Sequence, residues 1–433
     1  MRRNILLINH YAGSPAHGME FRPYYMAREW VRQGHHVTIV AASHSHVRQQ
    51  APQFHGLVGK EVIEGIRYVW LRTSPYCGND WRRALNMFSF VGQLYRCQRR
   101  VTGPTKVDTV IASSTYPFDI YPARRIARRH NAKLVFEVHD LWPLSPMELG
   151  GMSPRHPFIR LVQRAEDYAY RHADRVVSLL PCAGTYMIGR GMRPEKFACV
   201  PNGVVVEEWH KPAPPLDADL GGKLRALRAD NKFIIGYAGA FGLANALDSA
   251  IDAAALLRDA PVAFALVGQG PEKNRLLQRI TELGVRNVCV FPPVPKPAIP
   301  SFLKQVDATI ISWNRCSLYR FGVSPNKLLD YMMAGKPVIH AIEAANDLVA
   351  ETGCGISVEP ENPRKIAGAV SELMSASHEE RQRMGAKGKA HIEQHHDYSV
   401  LARKFIDLVD ECNRYGVHCS SSGHGHADTQ RAA

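Results

Sequence analysis

Lys327 and Asp330 stand three residues apart in the segment Ser324-Pro-Asn-Lys-Leu-Leu-Asp-Tyr-Met-Met-Ala-Gly-Lys-Pro-Val-Ile339. On a helix that spacing puts a cation and a carboxylate on one face. Both ends of a helix are marked: Ser324 is a good N-cap, Pro325 suits the first helical position, and Gly335 with Pro337 stops the helix. Such a start aims backbone N–H groups and a partial positive charge outward, a site for phosphate oxygens. Pro325 and Asn326 form the tip, Lys327 adds a mobile cation, and Asp330 lies one turn deeper for ribose hydroxyls. The pattern suits a nucleoside diphosphate. The plain alternative is a solvated pair on an ordinary capped helix, worth only tenths of a kcal/mol.

The elements that must position these residues alternate along the chain. Asn4–Asn9 reads as a strand, Phe21–Gln33 as a helix ended by Gly34, and His36–Ala41 as the next strand. Thr109–Ala112, Lys133–Val138 and Arg175–Leu180 are apolar runs of the buried parallel type. A second set comprises Phe233–Tyr237, Ala263–Val267, Val288–Phe291, Ala308–Ser312 and Pro337–Ala341. Between them, residues 211–222 are rich in Pro and Gly and read as a linker. The expected organisation is therefore an N-terminal Rossmann-like domain over 1–210, a linker over 211–222 and a second Rossmann-like domain over 223–399. A helix over 400–414 and a disordered tail over 415–433 follow.

A chain of 433 residues has room for two or three cores. The net charge of +14 is uneven: residues 1–213 carry 29 Lys and Arg against 16 Asp and Glu, whereas 214–433 carry 25 against 24. The first half should meet the anionic partner, whether nucleic acid, acidic membrane or anionic substrate. No nucleic-acid recognition motif accompanies the charge. Nine scattered cysteines without a Cys-x-x-Cys pair argue against a disulfide framework or zinc site and fit a reducing cytoplasm. The uncharged stretch Phe233–Leu247 is too short to cross a bilayer, which needs roughly 20 residues. A soluble or peripheral protein is expected.

The segment Ser324–Ile339 resembles the signature of glycosyltransferase family 4, the retaining GT-B enzymes, and most resembles the branch that builds bacterial O-antigen, capsule and exopolysaccharide. Further blocks agree in order: Asn9-His-Tyr11 with Gly18-Met-Glu-Phe-Arg22, Val138-His-Asp-Leu-Trp-Pro143, Val200-Pro-Asn-Gly203, Tyr237-Ala-Gly-Ala-Phe-Gly242 and Leu266-Val-Gly-Gln-Gly-Pro271. The resemblance implies an α/β GT-B fold, two Rossmann-like domains facing an interdomain cleft. It implies a sugar nucleotide, UDP-linked, held by the C-terminal domain, an acceptor in the N-terminal one, and transfer with retention and without a metal or other cofactor. Carried over by position, Lys327 neutralises the leaving diphosphate, Asp330 binds the ribose, and Pro325 and Asn326, after Ser324, present N–H groups. Gly239 and Gly242 let backbone approach the donor, and Val294 lies where the family holds the base. The family's paired glutamates fall here on Gly322 and Asp330, so the first carboxylate is missing. Its usual Lys after the Gly-rich turn is replaced around Asn245, which puts more weight on Lys327 and Arg320.

In the first half, His139 and Asp140 follow a strand at its carboxyl end, where open α/β sheets place ligands. His139 resembles the family's cleft histidine; otherwise it caps the strand. Asp140 orients that imidazole or binds the acceptor hydroxyl; otherwise it caps the next turn. The loop Gly13–Gly18 follows the first strand as a phosphate-approaching loop should, Gly18 being its candidate residue, or it is a chain reversal. Glu20 and Arg22 are further candidates. Asp80–Arg100 combines Trp81, Phe88, Phe90 and Leu94 with five arginines, Arg82, Arg83 and Arg96 among them. An amphipathic basic helix of this kind can lie on an anionic leaflet; its alternative is a domain helix with a solvated Arg face. Arg124–Arg129 reinforces the surface or solubilises a helix. Asp217-Ala-Asp219 imitates a metal-binding Asp-x-Asp but lies in the linker, and His44 with His46, or His395 with His396, lacks convergent partners.

The expected function is transfer of a sugar from a nucleoside-diphosphate donor to a polyprenyl-diphosphate-linked saccharide, by a cytoplasmic protein peripheral to the inner face of the plasma membrane. An N-acetylated deoxyhexose such as N-acetylfucosamine is the sugar the branch suggests. The rivals are a UDP-sugar 2-epimerase of the same architecture and a nucleotide-binding partner without catalysis.

Overall fold

The computed structural model describes residues 2–18, 21–46, 48–76, 78 and 81–416. Glu20, Asp80 and the expected disordered tail beyond Gly416 lie outside the described residues. The chain divides into two compact units, one of Met1–Leu179, Gly184–Val200 and the chain from Ala402, the other of Leu180–Ala183 and Pro201–Leu401.

The first unit holds an eight-stranded sheet: β1 (Asn4–Ile8), β2 (His36–Ala42), β3 (Val58–Ile63), β4 (Ile66–Leu71), β5 (Thr109–Ala112), β6 (Lys133–Val138), β7 (Arg175–Ser178) and β8 (Phe197–Cys199). Their order is β3-β4-β2-β1-β5-β6-β7-β8, parallel except for β3 against β4. The apolar runs became central strands because helices cover both faces: Ile5, Leu6, Leu7 and Ile8 are all buried. The order reverses between β1 and β5, and such a reversal leaves a crevice beyond the strand ends. The hairpin β3–β4 and the short β8 were not legible as strands. Val58–Ile63 is a half-exposed edge with a charged pair, Lys60 and Glu61, so its apolar run is broken. Its turn, Glu64 at φ 48° and Gly65 at φ 79°, has both residues in the left-handed region that a tight hairpin requires.

The second unit holds six parallel strands, β9 (Phe233–Ala240), β10 (Val262–Gln269), β11 (Val288–Phe291), β12 (Ala308–Ser312), β13 (Val338–Ala341) and β14 (Gly355–Val358), in the order β11-β10-β9-β12-β13-β14. Here the reversal falls between β9 and β12. The unit begins at Pro201, earlier than the expected boundary at 210, because Val204 is buried in the core with Leu220, Ile234 and Met332. The expected linker is helical from Ala218 onward. Asp217 accepts a hydrogen bond from the Leu220 amide at 2.9 Å, and Leu220 and Leu224 are buried, so the Asp-x-Asp decoy is a helix cap.

The last helix, Tyr398–Gly416, returns the chain to the first unit and includes two residues expected in the tail. The Trp30 indole donates to the Ala402 carbonyl at 3.0 Å and stacks edge-on against Phe405. Arg175 reaches Glu411 at 2.9 Å.

Candidate functional site

In the second unit the residues of interest gather beyond β9 and β12. The helix Asn326–Met333 begins later than expected: Pro325 is its N-cap, with extended backbone, and no side chain caps it. Ser324 is not the cap. Its hydroxyl accepts from the Asn202 amide at 2.9 Å and its carbonyl from the Asn202 side chain at 2.7 Å, so a distant loop holds it. The amides of the first turn therefore lack a side-chain cap and keep their affinity for anions.

Lys327 is not a mobile cation, nor does it form a surface pair with Asp330. Its ammonium donates to the Tyr237 hydroxyl at 3.2 Å and to the Asn245 side-chain oxygen, and lies 5.0 Å from the Tyr237 ring centre and 5.8 Å from that of Trp313. Burial pushes its pKa down to about 8. Tyr237 in turn donates to the Ala240 carbonyl at 2.7 Å, and the Asn245 Nδ2 donates to the same carbonyl at 2.9 Å. Trp313 is anchored by its indole N–H on Nε2 of the buried His340, whose Nδ1 meets Asp347 at 2.8 Å. Asp330 is partly buried one turn beyond Lys327; burial raises its carboxyl, with Lys296 opposing.

The glycines answer to packing. A Cβ on Gly239 would fall 3.0 Å from the Tyr237 hydroxyl, so the residue makes room for the tyrosine that holds Lys327. On Gly268 it would lie 1.9 Å from the Gly239 carbonyl oxygen, and on Gly270 2.2 Å from that of Phe241, so the two Gly-rich turns rest backbone on backbone. Gly242 is less constrained, its nearest neighbour being the Asn245 side chain at 3.8 Å. Gly322 has φ +88°, and a Cβ there would meet Pro181 at 2.7 Å and the Asn346 Oδ1 at 2.8 Å; a carboxylate side chain has no room at this position. Val294 is partly buried against the core below β11. Arg320 folds over the Phe321 ring at 4.3 Å and bonds the Ser317 carbonyl on its own turn.

In the first unit, His139 follows β6. Its Nε2 lies 3.0 Å from the Ser113 hydroxyl and 3.4 Å from Glu137 Oε2. Ser113 donates to Glu137 Oε2 at 2.6 Å, and Arg22 donates to Oε1 through Nε at 3.2 Å and Nη2 at 2.9 Å. Burial would raise the Glu137 carboxyl, yet Arg22, with His139 and Ser113, holds it far below the usual carboxylate range. Asp140 is exposed; it acts on His139 through its charge, the hydrogen bond at Nε2 belongs to Ser113, and the next helix is capped at Pro143 instead. Glu137 and Ser113 were missed by sequence reasoning. The available signal was a glutamate inside an otherwise apolar strand. Gly18, at φ +89°, closes a turn on Ser14 (2.8 Å), which is the chain reversal; Arg22 lies inside, on Glu137.

The helix Trp81–Arg96 splits the apolar residues expected on one surface. Phe90 and Leu94 are buried in the unit's core, whereas Trp81, Leu85, Phe88 and Tyr95 are exposed along one face, Trp81 by 67%. Arg82 lies over Trp81 and Arg96 is exposed, but Arg83 turns in to the Tyr11 hydroxyl at 3.4 Å. His44 and His46 are both bonded to Tyr76, and among the described residues no group of three or more His, Cys, Asp or Glu converges. No helix of the described residues is long and apolar enough to cross a membrane.

Two doubly wound sheets of this topology, parallel but for the edge strand β3, are the GT-B fold. The chain belongs to glycosyltransferase family 4: a family model described as Glycosyl transferase 4-like domain matches residues 17–203, and one described as Glycosyl transferases group 1 matches residues 224–391. It is similar to the Putative colanic acid biosynthesis glycosyl transferase WcaI of Escherichia coli (strain K12), 27% identical over 395 residues covering 88% of this chain and 93% of that one. It is also similar to the Probable glycosyltransferase WbjE of Pseudomonas aeruginosa, 22% identical over 72% of this chain and 76% of that one. Among solved structures, Anabaena Alr3699/HepE in complex with UDP and glucose shares the fold at a TM-score of 0.65, with 15% identity over 95% of this chain and 100% of that one.

Proposed function

We propose that this enzyme transfers a sugar from a UDP-linked donor, with retention, to a lipid-linked saccharide in the synthesis of a bacterial surface polysaccharide. The observation that carries the reading is the uncapped first turn of helix Asn326–Met333, with Lys327 held beside it by Tyr237 and Asn245. Charge develops on the departing diphosphate as the bond from the anomeric carbon breaks, and fixed donors that need no reorganisation stabilise it most. Lys327 and the amides of Asn326 and Lys327 supply them, and Asp330 takes the ribose hydroxyls. The UDP complex of the Anabaena structure and the colanic acid role in the Escherichia coli relative's name support donor and pathway class.

The first unit binds the acceptor, with His139 as the candidate catalytic residue. The exposed apolar face of Trp81, Leu85 and Phe88, beside Arg82 and Arg96, rests on the anionic inner leaflet of the plasma membrane. UDP titrated against the purified protein, followed by mass spectrometry of lipid-linked oligosaccharides made with and without it, tests the proposal. Absence of UDP binding would refute the donor assignment, and an unchanged lipid profile the acceptor assignment.

A further inference from the structure

A cavity of about 230 Å³ opens at the amino ends of β1, β2 and β4, the end of the first sheet away from His139. It is smaller than the roughly 300–1,000 Å³ of drug-sized sites, so its occupant must be small. Among the described residues its lining holds the cations Arg67 and Lys106 and no carboxylate. Asp108 follows the lining loop but is turned to the Asn4 amide at 2.8 Å. Arg67 is half-buried, and loss of water lowers its pKa with no carboxylate to oppose the shift. Its Nε donates to the Thr38 hydroxyl at 3.0 Å, and its Nη2 to the Val101 and Thr102 carbonyls at 2.6 and 3.3 Å, at the end of the helix Gln98–Thr102. Those bonds cap a helix end. They leave Nη1 without an acceptor among the described residues. Gly103, at φ +67°, keeps that nitrogen uncovered, since a Cβ there would fall 3.1 Å from it. A guanidinium partly out of water with no anion beside it is costly, and the cavity is where an anion would relieve that cost.

Other donors surround the same space. The Thr38 hydroxyl accepts from Arg67 and so has its own hydrogen to give. The Asn4 carboxamide, the Thr105 hydroxyl and the Lys106 ammonium line the cavity without a partner among the described residues. Arg2 adds a cation beside the lining, 3.5 Å from Nδ1 of His36. We propose that this cavity binds a phosphate monoester: the phosphate takes Arg67 Nη1 and Lys106, while Thr38, Asn4 and Thr105 bond its remaining oxygens and the hydroxyls of the small group it carries. A guanidinium edge with a lysine point charge suits a dianion of this kind. β1 runs five residues from Asn4 to Ile8, roughly 16 Å of strand, so the ligand sits at the opposite end of the sheet from Ser113 and His139. The site uses no residue of the proposed transfer reaction and stands whether or not that reading holds.

The test is calorimetric titration of the full chain with glycerol 3-phosphate and, separately, inorganic phosphate. Saturable binding of glycerol 3-phosphate, tighter than that of inorganic phosphate, is expected. Lys106→Ala and Arg67→Lys should each weaken it about tenfold, the scale of losing a hydrogen bond to a charged group. Lys106 is exposed on a loop, so its variant keeps the test open should the change at Arg67 disturb the helix it caps. Two controls fix the place: Lys60→Ala, an exposed cation outside the cavity, and Lys327→Ala, at the proposed donor site, should both bind as the wild type does. Absence of saturable binding would overturn the proposal. So would equal weakening by Lys60→Ala, which means diffuse attraction to a basic surface, or loss in Lys327→Ala alone, which means occupancy of the donor site. Vesicles of phosphatidic acid in phosphatidylcholine offer the same group from a bilayer. Co-sedimentation lost in Lys106→Ala but kept in Trp81→Glu would assign a lipid headgroup as the source, and titration binding without co-sedimentation a soluble ester.

Discussion

The ammonium of Lys327 is hydrogen-bonded to the side-chain oxygen of Asn245, 82 residues away in sequence. The same carboxamide ties back to the Ala240 carbonyl through its nitrogen, so the loop after β9 aims the lysine. The carboxamide thus directs the cation beside the helix tip.

Lys327→Ala should therefore cut turnover about 10²–10³-fold, as losing one fixed stabiliser of transition-state charge does. UDP release under saturating donor is the measurement, and near-normal release would remove Lys327 from the mechanism.

UDP binding should depend on pH through the same group. Burial lowers the Lys327 pKa from 10.5 to about 8, so above that value the free protein loses the ammonium that the diphosphate needs. Affinity should be flat below pH 8 and fall as pH rises through it, up to about tenfold per unit, with proton uptake on binding. For folding the sign is opposite: between about 8 and 10.5 the unfolded chain binds more protons at this group, so its contribution to stability rises with pH. Calorimetry in buffers of different ionisation heat should show the uptake in the wild type and none in Lys327→Met.

Asp330→Ala should weaken UDP about tenfold, the effect of losing a hydrogen bond to a charged group. Its thermal stability should change little or improve, because the carboxylate is partly buried and its pKa is already raised by burial. Equal UDP affinity in the two proteins would place the ribose elsewhere.

Placing a carboxylate at position 322 by Gly322→Glu should destabilise the protein by about 1–3 kcal/mol, since φ +88° suits glycine alone and the new Cβ would press on Pro181 and Asn346. Denaturant unfolding reads this directly. An unchanged midpoint would mean the loop relaxes.

Trp81→Glu and Phe88→Glu should abolish co-sedimentation with phosphatidylglycerol vesicles while leaving the melting temperature close to that of the wild type, because both side chains are exposed. The same change at Phe90 should unfold the first unit, since that ring is fully buried. Equal sedimentation of wild type and variants would leave the exposed face without a membrane role.

Apolar runs, glycine and proline punctuation and the Ser324–Ile339 pattern were enough to read two parallel α/β units and the residues worth watching. These signals are local: a strand's burial and a helix's ends are written within a few neighbours. The edge hairpin β3–β4 escaped because a half-solvated strand has no continuous apolar run.

What only the tertiary structure decided were the partners. Ser324 bonds a residue 122 positions away rather than its own helix, Lys327 turns toward Tyr237, 90 positions away, and Arg22 finds Glu137 across 115. Which arginine or aromatic of Trp81–Arg96 faces outward, and why Gly322 must be glycine, depend likewise on what other segments bring against them. Sequence specifies the conformation of a segment through neighbours along the chain, whereas the hydrogen-bonding direction and charge state of a side chain are set by groups that only folding brings within 3 or 4 Å.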